Sequence, residues 1–179
     1  MMGIITGETF YPEGYSTRNN EISDLGATRP PNSIITEPSA TIFNTTMIVT
    51  GIMAILAMGL LHSHHRKIWL TTIFALFGLG LLGVGVFPGN AVPWHPAFAM
   101  ATFVFGGLGA IASAKIINPP LNILFIVLGT LSLVFLFLSE LFIPYLGMGG
   151  TERWVAYPIV FWMMGMGAYL NGANNRSTQ

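Results

Sequence analysis

Ile68–Val86 reads IWLTTIFALFGLGLLGVGV, a run without one Asp, Glu, Lys, Arg or His. Lipid offers no partner for an unpaired backbone amide, so a continuously apolar stretch close to the roughly twenty residues that cross a bilayer is predicted to be helical. The same pattern recurs on both sides, at Thr41–Leu61, Pro96–Lys115, Pro120–Ser139 and Trp154–Gly172. Pro38, Pro96 and the pair Pro119–Pro120 fall where a first helical turn tolerates proline. His62–Lys67, between two of the stretches, is too polar to stay buried. The fold class expected is therefore all-α: a polytopic transmembrane bundle of five spans over residues 41–172. An ordered polar strap over residues 1–40 precedes it on the outer face, and a tail at 173–179 follows. Connections this short place sequence neighbours antiparallel.

Composition points the same way. Of 179 residues 53% are hydrophobic and only 8% charged, against about a quarter charged in ordinary soluble domains. Seven Lys and Arg balance seven Asp and Glu, so no basic excess points to nucleic acid. The absence of cysteine removes disulfides, thiol nucleophiles, thiolate metal sites and iron–sulfur clusters. None of the five apolar cores contains an Asp, Glu, Lys, Arg or His. That argues against proton-coupled carriers and voltage sensors, which keep such groups at membrane depth for use.

Basic residues near helix ends mark the cytoplasmic side. Arg66, Lys67, Lys115 and Arg176 fall on one side of the expected bundle, whereas Arg18, Arg29, Arg153 and every acidic residue fall on the other. The location expected is the cell membrane, multi-pass, with the N-terminal segment outside and the C-terminus cytoplasmic. Met1–Gly7 is apolar but too short to span and lacks the basic start of a signal peptide. Within the strap, Ser16–Leu25 followed by Gly26 has the pattern of a short helix with a glycine stop.

Small residues crowd two spans. Gly78, Gly80, Gly83 and Gly85 on the second and Gly106, Gly109, Ala110 and Ser113 on the third read as close helix-packing faces, with a dimer face as the alternative. The fourth span, with Leu124, Phe125, Leu131, Val134, Phe135, Phe137 and Leu138, is bulky all round and suits lipid exposure. Met53, Met58, Met163, Met164 and Met166 read as gap-filling side chains.

Any chemistry has to sit at a membrane face, and the outer one gathers polar residues from three separate segments. The candidate ligand-binding residues are Arg18, Asp24, Asn90, His95, Glu152, Arg153 and Tyr157. Guanidinium groups bind phosphate bidentately, so Arg18 and Arg153 beside interfacial tyrosines suit a lipid head group. The alternative use of both arginines is to pair locally with acidic residues and tie the strap down. His95 with Asp24 could form a base and its orienter, with Ser23 or Ser16 as nucleophile. His95, Asp24 and Ser23 are the catalytic candidates, although no nucleophile elbow accompanies them. Asp24, His95 and Arg153 are expected to approach one another, with Arg153 pairing to Asp24. On the other side His62, His64 and His65 beside Arg66 and Lys67 read as a solvated basic turn touching anionic lipid. No cofactor and no metal is expected.

Several motifs carry a resemblance: Tyr11–Pro12–Glu13–Gly14–Tyr15–Ser16–Thr17–Arg18, Ile22–Ser23–Asp24–Leu25–Gly26–Ala27, Pro31–Asn32–Ser33 and Ile42–Phe43–Asn44. With them go Gly83–Val84–Gly85–Val86–Phe87–Pro88–Gly89–Asn90, His95, and Gly149–Gly150–Thr151–Glu152–Arg153 with Tyr157–Pro158. As a set they resemble the prokaryotic membrane-protein family called domain of unknown function 998, over nearly the whole chain. The resemblance implies a small polytopic helical protein and brings no activity with it. Members of that family typically begin with a further span running into the Tyr-Pro motif, where this chain has only Met1–Phe10. The leading expectation is an outer-face pocket for a lipid head group or small polar ligand, without catalysis. Its alternatives are an accessory subunit of a larger membrane complex and a lipid-modifying enzyme. The partners expected are membrane lipid and, on the accessory reading, other membrane-protein subunits or a second copy of the chain.

Overall fold

The computed structural model describes residues 1–12 and 14–177, with side chains except those of residues 60, 64, 65 and 172–177. The end of the expected tail at 173–179, Glu13, and the side chains of His64, His65 and Arg176 lie outside that description. The described chain is all helical. In order it forms α1 (Met2–Thr9), a 3-10 turn (Ile22–Leu25), α2 (Ser39–His65), α3 (Ile68–Val86), α4 (Trp94–Ser113), α5 (Leu121–Phe137) and α6 (Ser139–Ser177). Pro38 and Pro120 stand immediately before α2 and α5, and Pro96 lies in the first turn of α4, as their missing amide donors require.

Three of these helices, α2, α3 and α4, are long and apolar enough to cross a membrane. α5 and α6 pass the same test only together, as a pair bent by 94°. The count is thus three spans, or four with the bent pair, because α5 has only 17 residues and α6 opens on polar and glycine-rich sequence. Gly147 (φ 77°, ψ 172°) interrupts α6 in a conformation that suits glycine and strains other residues.

α3 lies between α2 and α4, and α5 between α4 and α6, with α6 also touching α4. The glycines make this possible. Gly78 faces the α2 backbone, Gly80 and Gly83 face Thr102 and Phe98 of α4, and Gly109 lies under the Trp162 ring. The small-residue faces are therefore spent on packing inside one chain. At the centre Trp162, 1% exposed, stands edge-on to Phe74 and Phe77 with ring centroids 5.2 and 5.7 Å apart. Its Nε1 donates to Ser113 Oγ (2.8 Å), and that hydroxyl donates to the Gly109 carbonyl (2.6 Å), so no polar atom of the pair is stranded.

α5 departs from the all-round exposure expected of it. Phe125 is fully buried and, with Gly129 and Ser132, forms a stripe at helical spacing. Phe125 packs at Gly165, Ser132 Oγ donates to the Val155 carbonyl (2.8 Å), and Phe135 stacks on Trp154. Rising residues of α5 thus meet falling residues of α6 beyond Gly147, so that part of α6 returns along α5.

The start of the chain also differs from expectation. Met2–Thr9 is helical because α2 covers it: Ile4 and Gly7 are buried, Gly3 sits at Thr46 and Gly7 at Ser39. The expected helix at 16–25 contracts to the 3-10 turn before Gly26, with Leu25 buried and its carbonyl accepting from Ser39 Oγ (3.2 Å).

Candidate functional site

Arg153, on α6 just past the Gly147 break, organises the end of the bundle where α3 stops and α4 begins. It is 7% exposed, and its guanidinium reaches back across the whole sequence. Nη1 donates to the carbonyls of Thr17 (2.9 Å), Asn20 (2.9 Å) and Gly149 (3.0 Å), while Nη2 donates to Glu8 Oε1 (2.6 Å) and Tyr15 Oη (2.7 Å). Burial pushes the Tyr15 phenol well above the usual range, and the guanidinium opposes that shift. Nε alone has no acceptor. The segment it holds can lie this close only because Gly149 has no Cβ, since one built there would overlap the Asn20 carbonyl. The Gly150 amide donates to the Arg18 carbonyl (3.1 Å) and closes the seam.

The expected pairing of Arg153 with Asp24 does not form. Asp24 Oδ2 instead accepts from the Glu21 amide (2.9 Å) and Asn20 Nδ2 (3.4 Å), so the carboxylate caps its own turn. The ion-pair partner of Arg153 is Glu8, which no motif in the sequence singles out. Its signal is slight: one carboxylate closing an apolar run, where a boundary position demands a cation. Arg29 pairs with Glu21 (2.8 Å), whose carboxyl is raised by burial against the pull of that arginine.

Two concave sites flank the seam. The first is an open groove of about 600 Å³ between α5 and α6. Thr17, Arg18 and Arg153 line its end at the seam, Trp154 and Tyr157 come next, and Leu128, Leu131 and Phe161 line the rest. Arg18 has no ion-pair partner among the described residues, and its side chain is exposed at the mouth. The second is a cavity of about 220 Å³ under α1 and the 3-10 turn, with Ser23, His95 and Glu152 among its lining residues.

The sequence-predicted residues therefore divide. Arg18, Arg153 and Tyr157 share the groove, His95, Glu152 and Ser23 share the cavity, Asp24 is spent within its turn, and Asn90 is exposed on the α3–α4 loop. His95 Nδ1 lies 2.7 Å from the Phe87 carbonyl. A carbonyl only accepts, so Nδ1 is the protonated nitrogen and the orienting position is taken by backbone rather than by Asp24. The base-and-orienter pair of the catalytic reading is thus not assembled. Glu152 accepts from the Ile22 amide and ties the turn to α6.

Apolar helices of spanning length, packed through glycine and capped by a hydrogen-bonded polar seam, define a helical membrane protein. The chain belongs to the family described as "Protein of unknown function (DUF998)", whose model matches residues 1–169. Searches of curated proteins and of solved structures give no match.

Proposed function

We propose that this is a cell-membrane protein of five spans that binds the anionic head group of a membrane lipid in the α5–α6 groove, without catalysis. The observation that carries the reading is the order of residues along that groove. Two guanidinium groups stand at the seam, interfacial Trp154 and Tyr157 follow, and leucine and phenylalanine continue below. An amphiphile with a phosphate head and an acyl tail has the same order of chemistry. Arg153 is committed to the seam except at Nε, so Arg18 supplies the free charge and Arg153 the buried field behind it.

The return of α6 along α5 beyond Gly147 supports two separate crossings and hence five spans. The asymmetry of Lys and Arg supports placing the seam outside and the C-terminus in the cytoplasm. The small-residue faces that could serve contacts with another subunit are used by the packing of α3 and α4 within this chain. The test is the native mass of the gently solubilised protein. A retained phospholipid that is lost in Arg18→Gln is the expected result; retained protein subunits without lipid would replace this reading with the accessory one.

A further inference from the structure

The groove leaves the second concavity unexplained. Its roof is formed by Ile4 and Ile22, and its walls by Phe43 of α2, Leu81 of α3, Ala99 of α4 and Ile159 of α6. The α2 and α6 backbones do not pack on one another, so the space between them stays open at its side. Met164 also lines it and is 61% exposed, which puts a flexible thioether at a mouth on the lipid-facing side of the bundle. Glu152 and Met163 both line the space, and α6 rises about 17 Å between them, so the cavity is long as well as apolar. An apolar cavity of about 150 Å³ holds benzene. At about 220 Å³ this one has room for a polar head and a chain of several carbons.

The hydroxyls of Thr46, Thr50 and Thr102 on the walls donate to carbonyls of their own helices. Ser23, His95 and Glu152 are the lining side chains with polar capacity left, and Met1 lines the space as well. Burial lowers the pKa of the Met1 amino group, and burial followed by the nearby Glu21 raises the Glu152 carboxyl to about 8. The surroundings therefore work against charge, and a head of either sign would be costly to bring in. A neutral head is selected by its hydrogen bonds. With Nδ1 donating to Phe87, Nε2 of neutral His95 is an acceptor with no partner among the described residues. Protonated Glu152 is a donor that also accepts from the Ile22 amide, and the Ser23 hydroxyl can give or accept. A hydroxyl head matches this set, since it gives its hydrogen to Nε2 and offers lone pairs to Glu152 and Ser23. A ketone or a carboxylate has no hydrogen for Nε2, and an ammonium has no lone pair for the two donors.

We propose that the cavity between α2 and α6 is a site for a neutral single-chain lipid alcohol, its hydroxyl bonded to His95 Nε2, Ser23 and Glu152 and its chain directed toward Met163. This site is separate from the groove and stands whether or not the groove binds lipid. The test is photocrosslinking of the full chain in nanodiscs by a single-chain alcohol with a diazirine at the far end of its chain, mapped by mass spectrometry. Crosslinks are expected on Ile159, Met163 or Met164, and decanol should compete for them at least about tenfold better than decylamine, decanoate or 2-undecanone at equal concentration in the bilayer. His95→Asn keeps a donor for the Phe87 carbonyl without the second ring nitrogen, and Ser23→Ala removes a hydroxyl with no other partner among the described residues. Each should raise the probe concentration for half-maximal labelling by up to about tenfold, the scale of one hydrogen bond, while Arg18→Gln in the groove leaves it unchanged. Ala99→Leu narrows the shaft without touching the polar end and should abolish the labelling. Equal competition by decylamine, decanoate or 2-undecanone would overturn the proposal. So would crosslinks scattered over the exposed faces of α2 and α5, or labelling that is undiminished in both His95→Asn and Ser23→Ala.

Discussion

Replacing Arg153 with lysine keeps the charge and removes the fork. Five N–H···O contacts hold the native guanidinium, at Thr17, Asn20, Gly149, Glu8 and Tyr15. Lysine's single Nζ can take the place of only one of the two Nη atoms, so the contacts of the other, at least two, go unmade. Hydrogen bonds to a charged group contribute about 1.5–3 kcal/mol each, which sets the loss at roughly 3–6 kcal/mol. Glu8 is 21% exposed at its side chain and regains part of this from water, so the lower end, about 3 kcal/mol, is the expected cost of holding the segment. That corresponds to about a hundredfold rise in the opening equilibrium. Hydrogen exchange followed by mass spectrometry in nanodiscs reads it directly. Amides within residues 15–26 should lose about two decades of protection in Arg153→Lys while α3 and α4 keep theirs. Arg29→Lys, which alters an exposed pair, should change exchange by less than tenfold. Unchanged exchange at 15–26 in Arg153→Lys would refute the idea that this guanidinium holds the seam.

Gly149→Ala should push the Asn20 carbonyl away and cost about 1–3 kcal/mol as overpacking, seen as proteolysis between residues 16 and 26, whereas Gly59→Ala, which faces open space, should not. Trp162→Phe should lower the unfolding midpoint by removing the donor to Ser113 and part of a buried ring, about 1–3 kcal/mol in all; an unchanged midpoint would mean that the centre of the bundle is misassigned. In intact cells a cysteine at Asn90 or Val92 should react with an impermeant thiol reagent, and one at Lys67 or Asn118 should not. All four positions are exposed and the chain has no native cysteine. Labelling at 67 would reverse the orientation.

Much of the bundle was legible because its determinants are local. α3 spans the same residues as the apolar run that announced it, and proline marked the starts of α2, α4 and α5. What escaped reading depends on partners far apart in sequence. Eight residues at the start cannot sustain a helix by propensity, and α1 exists because Ile4 and Gly7 meet α2. Phe125 looked like its lipid-facing neighbours, and only Gly165 on α6 distinguishes it. Arg153 stands out in the sequence as a boundary cation, but its partner Glu8 lies 145 positions away with no spacing rule to connect them. Asp24 was assigned to Arg153 because both are charged at one depth, whereas a local cap satisfied it first.

The groove is tested most directly by the equilibrium binding of phosphatidylglycerol to the full chain, measured against phosphatidylcholine and with inorganic phosphate as competitor. A preference for the anionic lipid that falls about tenfold in Arg18→Gln, and that phosphate alone does not displace, is the predicted result. Displacement by phosphate at low concentration would assign the site to a free anion. Equal binding of both lipids by the native chain and by Arg18→Gln would contradict the account.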